Sequence, residues 1–194
     1  MKSPLPLKPA PSGSPVLVDT PQFRGRSVRP SDASQALADW FADPARVGPL
    51  NLPPRQLDVP DLRRFFSGFD NRSRFLIALI AKEDERICGF YHAEFHLQHR
   101  LSRISFLNGP NLLQARRAMI ALGNPLLDLQ FRRFKMEKIV AQVLESNAPV
   151  CRHLDRLGFQ REGFLRAQVR SPTGEGRLNQ VLFGLLPQDL QRAY

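Results

Sequence analysis

A segment reading YHAEFHLQH places side chains that can exchange protons at alternate positions. In a β-strand, successive side chains point to opposite faces of the sheet. One face would then carry His92, Glu94, His96 and Gln98. A face with imidazoles and a carboxylate is unlike a core face. It either faces solvent or lines a groove, where His92 or Glu94 accepts a proton directly or through water.

Neither cysteine adds a nucleophile or a metal ligand to this set. Cys88 and Cys151 lie in apolar patterns and lack the spacing typical of a metal site. We therefore predict two buried free thiols, with no disulfide and no metal site.

Composition indicates one domain preceded by an arm. The first 23 residues hold six of the 17 prolines, which favour neither a helix nor a packed face. We predict a flexible arm over residues 1–23 and a single domain over residues 24–194. No apolar run is long enough to span a membrane or to act as a secretory signal, so we expect a cytoplasmic protein with no membrane partner.

The formal net charge of +10 invites a nucleic-acid hypothesis. However, the arginines are dispersed along the chain, without a dense tract or a motif interleaved with aromatic residues. Dedicated nucleic-acid binding is thus not favoured, and a basic nucleic-acid-associated protein stays a third interpretation. A positive field attracts any polyanion, including a phosphate-rich cofactor.

Hydrophobic periodicity predicts four helices and six strands after residue 30. The helices are expected at 31–43, where Ser31 or Asp32 is the N-cap, at 59–69, at 125–134 with Pro125 as first residue, and at 148–157 with Gly158 as C-cap. The strands are expected at 74–81, 86–98, 100–109, 138–144, 159–170 and 177–186. Short polar turns predict an antiparallel meander, followed by one β-helix-β passage and a closing hairpin.

Three stretches in this order resemble the GNAT superfamily of N-acetyltransferases. KIVAQVLESNAPVCRHLDRLGFQREGFLR is similar to its C-terminal motif. RPSDASQALADWFADP and GRLNQVLFGLLPQDL are similar to the first helix and last strand of its ribosomal-protein N-terminal acetyltransferase branch. The resemblance covers roughly residues 24 to 189. It implies a mixed α/β (α+β) fold with a mostly antiparallel sheet of six to seven strands and about four helices.

The resemblance also implies a reaction. A family member transfers acetyl from acetyl-CoA to a primary amine, either a small molecule or a protein N-terminus, by direct attack. This chemistry needs a cradle for pyrophosphate, a donor to the thioester oxyanion and a path for the ammonium proton.

The family cradle, Gln/Arg-x-x-Gly-x-Gly/Ala, aligns with QARRAM, which contains no glycine. The resemblance assigns cofactor contacts to this loop and to the preceding strand end: Leu107, Asn108, Gln114, Ala115, Arg116, Arg117, Ala118 and Met119. Arg117 and Met119 occupy the glycine positions, where a Cβ hinders the approach of backbone to phosphate. Arg116 and Arg117 either bind the phosphates through their side chains or form a solvated pair.

Asn147 matches the family asparagine that follows the central strand, and it also suits an N-cap. We expect Asn147 to cap the helix and to contact the cofactor. Glu145, beside the strand end, is a third candidate base alongside His92 and Glu94. Leu154 stands where other branches carry a tyrosine acid. These departures leave two hypotheses: a working N-acyltransferase, or a binding or regulatory module with the same fold.

Overall fold

The computed structural model describes residues 13–172, 174 and 176–190. The helices are α1 (Gln35–Ala42), α2 (Pro44–Val47), α3 (Val59–Ser67), α4 (Leu112–Arg132) and α5 (Ala148–Leu157). The strands are β1 (Leu17–Asp19), β2 (Phe23–Ser27), β3 (Arg74–Ala81), β4 (Arg86–His96), β5 (Leu101–Asn108), β6 (Lys138–Leu144), β7 (Gln160–Arg170) and β8 (Arg177–Leu185).

The strands form one sheet in the order β1-β2-β3-β4-β5-β6-β8-β7. Every neighbouring pair is antiparallel except β5 and β6, which are parallel and joined through α4. The predicted meander, the β-helix-β passage and the closing hairpin are therefore confirmed. The mixed, mostly antiparallel fold class is confirmed as well, with β1 and β2 in addition to the strands expected.

Helices cover both faces of the sheet. On one face, α4 and α5 bury residues such as Leu122 and Leu154 against the strands. On the other face, the helices α1 to α3 bury Trp40, Leu62 and Phe66 against β3 and β4. The sheet thus holds two apolar layers, and α4 and α5 are separated from α1–α3 by its thickness.

The first helix begins later than the sequence pattern predicted. Ser34 is its N-cap, because the Ser34 hydroxyl accepts a hydrogen bond from the Leu37 amide at 3.3 Å. Ser31 and Asp32 lie instead in a short 3-10 turn, Pro30–Asp32. The Asp32 carboxylate accepts from the Arg26 guanidinium at 2.7 and 2.8 Å and from the Arg29 backbone amide at 2.7 Å, so it stabilises this turn and does not cap α1.

The prediction that the third helix starts at Pro125 is wrong. Helix α4 begins at Leu112, after Asn111 accepts a hydrogen bond from the Gln114 amide, and Pro125 lies inside it. Buried residues recur at helical spacing on both sides of the proline and hold these turns on the sheet: Ala115, Ala118, Leu122 and Leu126. QARRAM is consequently helical, and it does not form a loop.

The predicted flexible arm does not hold for the residues that the structure describes there. β1 pairs with β2, and Val16 is 3% exposed within the core. The Val16 amide donates to the Ser27 hydroxyl at 2.9 Å, and its carbonyl accepts from the Ser27 amide at 3.0 Å. The first 12 residues lie outside the described part of the chain. Among the described residues, no helix is both long enough and apolar enough to cross a membrane.

Candidate functional site

The parallel strands β5 and β6 separate shortly after they pair. Their register covers Leu101, Ser102 and Arg103 opposite Lys138, Ile139 and Val140. Beyond these positions, β5 continues to Asn108 paired with β4, and β6 continues to Leu144 paired with β8. The facing edges therefore present backbone N–H and C=O groups that have no partner strand in the described part of the chain, and such groups are available to a bound ligand.

A cavity of about 840 Å³ occupies this cleft and extends to both sides of the sheet. Its size suits a small-molecule site, for which roughly 300–1,000 Å³ is typical. Side chains of α4 and α5 line the part that we call the α4–α5 end: Leu112, Arg116, Met119, Ile120, Asn147, Val150, Arg152, His153 and Arg156. The part that we call the aromatic end lies towards α1–α3 and includes Phe41, Leu50, Leu52, Phe65, Phe69, Arg74 and His92.

The α4–α5 end is strongly basic. Arg116 projects from α4, and Arg152 and Arg156 lie one turn apart on α5. Within the described residues, none of the three guanidinium groups forms an ion pair with a carboxylate. Three guanidinium groups without a carboxylate partner in the described chain thus line one cavity, which favours a ligand with phosphate groups.

The predicted arginine pair is divided between two cavities. Arg116 lines the large cavity, whereas Arg117 lines a smaller one on the other side of α4, together with Gln114, Lys82 and Glu83. Ala115 and Ala118 are buried beneath the helix. Of the residues assigned to the cofactor by resemblance, the large cavity brings together Leu107, Asn108, Arg116, Met119 and Asn147.

Asn147 does not cap α5 with its side chain, so the capping prediction is wrong. Its backbone carbonyl accepts hydrogen bonds from the Val150 and Cys151 backbone amides, both at 3.1 Å. The helix therefore starts without a hydrogen bond from the Asn147 side chain. The Asn147 backbone N–H donates to the Leu144 carbonyl at 2.8 Å, but among the described residues no partner engages the Asn147 side-chain amide. Asn147 lines the cavity next to the β6 end. That amide is available to donate or accept a hydrogen bond from a ligand.

His92 is the only one of the three candidate bases that lines the cavity. It pairs across the sheet with Ser105, whose hydroxyl lies 3.4 Å from His92 Nδ1. Burial lowers the pKa of His92, and the nearby Arg74 cation lowers it further, although Glu94 acts in the opposite direction. The imidazole is therefore neutral at pH 7 and can accept a proton.

The other two candidates lie elsewhere. Glu94 shares the strand face with His92, as predicted, and its cross-strand neighbours are Arg74 and Arg103. Glu145 is exposed, and its carboxylate accepts a hydrogen bond from the Asn179 amide at 2.9 Å. Neither carboxylate is among the cavity-lining residues.

No phenol reaches the cavity within the described part of the chain. Tyr91 lies on the opposite sheet face, 1% exposed, with its hydroxyl bonded to Gln130, and burial raises its pKa. Both cysteines are buried free thiols, as predicted. Burial raises the pKa of Cys88 to about 11 and also raises that of Cys151, so neither is a thiolate at neutral pH.

Several cavity residues escaped the sequence reasoning. Arg152, His153 and Arg156 lie on α5, and Phe69 and Arg74 come from elements distant in the chain. The spacing of Arg152 and Arg156 does place both on one helix face. His153 carries a buried Nε2 that has no hydrogen-bond partner within the described residues, and burial, followed by the Arg156 charge, lowers its pKa.

Known proteins resemble this chain in their structure and not in a recognisable sequence match. No protein-family model matches the sequence, and no curated protein matches it. Solved structures do match. An acetyltransferase of the GNAT family from Bacillus anthracis is 16% identical, with a TM-score of 0.74, over 89% of this chain and 99% of that one.

Two further solved structures carry a named activity. The ribosomal-protein-S5-alanine acetyltransferase from Vibrio fischeri is 17% identical, with a TM-score of 0.72, over 91% of this chain and 100% of that one. The spermidine N-acetyltransferase from Vibrio cholerae, solved with CoA and spermine, is 17% identical, with a TM-score of 0.74, over 88% of this chain and 98% of that one. The chain thus has the fold of the GNAT acetyltransferases, as its sequence pattern predicted.

Proposed function

We propose that this protein transfers an acetyl group from acetyl-CoA to a primary amine, which is either a small molecule or a protein N-terminus. The observation that carries the proposal is the cleft between β5 and β6, whose cavity is lined at its α4–α5 end by Arg116, Arg152 and Arg156. A thioester donor with several phosphates has one extended arm and one highly charged end. The cavity offers a complementary shape and charge.

The donor would be held by both backbone and side chains. The free edges of β5 and β6 can bond the amides of the donor arm, much as an added strand would. The Asn147 amide can contact the same arm at the β6 end. At the α4–α5 end, forked guanidinium groups would take the role of a glycine-rich cradle for phosphate.

His92 is the residue that would receive the proton. As the amine nitrogen bonds to the thioester carbon, the carbon–sulfur bond breaks and CoA leaves as a thiolate. The amine gives one proton to the neutral His92 imidazole, directly or through water, and the thiolate takes one proton from solvent. His92 then returns its proton to solvent, which restores the starting state.

The structural neighbours support amine acetylation as a class. One carries the name of an enzyme acting on the alanine of a ribosomal protein, and another the name of an enzyme acting on spermidine. At these identities the analogy is one of fold, and acceptor identity depends on the site.

A second candidate function is a binding or regulatory module that has lost catalysis. Two observations favour it. At the start of α4, the Gln114 backbone N–H already donates to the Asn111 side chain and is not free to bind a phosphate, and the first turns of the helix contain no glycine. Leu154, 1% exposed, stands where a tyrosine acid would be. A module of this kind would bind acetyl-CoA without consuming it.

Steady-state assays separate the two functions. The full chain is mixed with acetyl-CoA and a panel of primary amines, and both CoA thiol release and acetylated amine are measured. Stoichiometric formation of both products supports the enzyme. Tight acetyl-CoA binding by calorimetry without either product would support the module, and absence of binding in a folded sample would remove both.

A further inference from the structure

The aromatic end of the cavity has an apolar wall. The Phe41 and Phe65 rings lie 5.6 Å apart, and the Phe65 and Phe69 rings lie 5.2 Å apart, both in edge-to-face contact. Phe65 is 41% exposed and Leu52 is 48% exposed, so this wall is open to a ligand. Exposed aromatic surface inside a cavity favours an apolar group on whatever binds there.

Two polar groups flank one ring of this wall. The Arg74 guanidinium lies over the Phe69 ring, 5.3 Å from its centre. The His92 imidazole contacts the same ring at 5.8 Å. Phe69 therefore stands between a cation and the candidate base, and all three side chains line the cavity.

Arg74 and His92 are also close on the sheet. His92 pairs with Leu76, and Arg74 lies two residues before Leu76 on the same face of β3. Such diagonal neighbours have Cα atoms roughly 7–8 Å apart. A small ligand can contact both side chains at once.

The guanidinium of Arg74 lacks a carboxylate partner among the described residues. Asp70, the nearest acid along the chain, accepts hydrogen bonds from the backbone amides of Arg72, Ser73 and Arg74 and from the Ser73 hydroxyl. No ion pair joins Arg74 to Glu94, its cross-strand neighbour.

The whole cavity lining repels cations. It contains five arginines and, within the described residues, no aspartate or glutamate: Arg46, Arg74, Arg116, Arg152 and Arg156. Of these five, Arg46 is the only one that forms an ion pair with a carboxylate of the described chain, that of Asp43 at 2.8 Å. A polyamine would bring several positive charges into this field without meeting a carboxylate, which is unfavourable.

We infer that the acceptor is an amine that also carries a carboxylate and an apolar side group, as an apolar α-amino acid does. The carboxylate would pair with Arg74, the apolar group would pack on Phe41, Phe65 and Phe69, and the amine would face His92. This assignment depends on the proposed acetyl transfer. An amine, a carboxylate and an apolar group occur together in two kinds of acceptor: a free amino acid, and a protein N-terminus whose second residue is acidic.

The test compares acceptors that differ by one group. With acetyl-CoA saturating, kcat/KM is measured for L-phenylalanine, L-phenylalanine amide, a Phe-Asp peptide amide and spermidine. We expect L-phenylalanine to exceed its amide by roughly tenfold or more, as loss of a charge-assisted contact predicts. Spermidine should be the poorest. A peptide that surpasses the free amino acid would identify a protein N-terminus as the source of the carboxylate.

A variant then links the preference to its cause. Arg74→Gln should reduce the ratio of kcat/KM for L-phenylalanine to kcat/KM for its amide to about twofold or less, because the contact with the carboxylate is lost. The affinity for acetyl-CoA should be unchanged. Arg72→Gln, an exposed neighbour outside the cavity, serves as the matched control and should keep the ratio.

Three outcomes would overturn the assignment: equal rates for acid and amide, a preference for spermidine, or donor binding with no acceptor turned over. Failure of acetyl-CoA to bind would contradict the proposed function instead. In that event, the melting temperature with L-phenylalanine and with its amide still tests the Arg74 contact. An equal effect of the two ligands would overturn it.

Discussion

Arg116 and Arg117 are adjacent in sequence, yet they line separate cavities on different sides of α4. Consecutive residues of a helix point about 100° apart, so the two guanidinium groups diverge. The pair therefore does not act as one anion site. Arg116 instead joins Arg152 and Arg156, which come from another helix and lie some 40 residues away in sequence.

Replacing His92 should change both rate and pH dependence. Because the amine must lose a proton, log kcat/KM rises with a slope of one in pH below the amine pKa. Below the pKa of His92, which lies under the ordinary value of 6.5, the slope should approach two. His92→Gln should lower kcat/KM by about 10²- to 10⁴-fold and keep a slope of one.

The control for this change is His96→Gln, an exposed residue at the end of β4 that does not line the cavity. It should keep the wild-type profile. A second ionisation that persists in His92→Gln would assign the base to another group, and Glu94→Gln would be examined next.

Two asparagines at helix starts should differ in their effect on stability. Asn111→Ala removes a side-chain cap of α4 and should lower the free energy of unfolding by about 1 kcal/mol. Asn147→Ala removes no cap and should change it by less than about 0.5 kcal/mol. Denaturant unfolding measures both. An equally large loss at Asn147 would show that its amide supports the fold.

Two histidines, the buried His153 and the partly buried His92, should make stability depend on pH. The pKa of His92 and that of His153 are both lowered by burial, so the unfolded chain takes up protons first as pH falls. Stability from these groups is intact above about pH 6.5 and is lost as pH drops from there towards the folded-state pKa values. The free energy of unfolding, measured by denaturant titration at several pH values between about 7.5 and about 5, should show this decrease.

His153→Leu should reduce that decrease, because it removes one of the two groups. His99→Gln, at an exposed position after β4, should keep the wild-type decrease. An identical pH response in His153→Leu and the wild type would contradict the assignment to His153.

Of two adjacent residues before β2, the buried Val16 should contribute to stability and the exposed Leu17 should not. Val16→Ala should lower the free energy of unfolding by about 1.5 kcal/mol, since Val16 is 3% exposed and alanine lacks two of its buried carbon groups. Leu17→Ala should change it by less than about 0.5 kcal/mol, because Leu17 is 60% exposed. Similar losses at the two positions would mean that the Val16 side chain does not pack in the core in solution.

Sequence periodicity predicted the central elements well. The bounds of β3, β6 and α5 agree with the prediction residue for residue, and Gly158 adopts the left-handed conformation expected of a C-cap. These segments have clear apolar patterns and turn residues at their ends, so local signals and packing agree.

Elements whose stability comes from distant partners were missed. β1 and β2 are short and lie among prolines, and they form because β3 offers an edge and Ser27 bonds Val16. α4 passes through Pro125 because its buried face continues on both sides, a tertiary effect that outweighs the local signal.

The sequence predicted those parts of the candidate site that depend on a single strand, and it missed those that depend on tertiary packing. Alternation along β4 placed His92 on a functional face, because one strand determines that direction. The contact of Phe69 with Arg74 and His92 joins α3, β3 and β4 through tertiary packing, which no local pattern encodes. The α4–α5 end likewise depends on how the two helices pack.

Titration calorimetry of acetyl-CoA against the wild type, Arg116→Ala and Arg117→Ala tests the central claim most directly. Both variants lose one exposed arginine from the same helix, so their charge and stability stay matched. We predict that the wild type binds acetyl-CoA, that Arg116→Ala weakens binding roughly tenfold or more, and that Arg117→Ala changes it by less than about twofold. Absence of binding to the folded wild type, or equal affinity in the three proteins, would contradict the account.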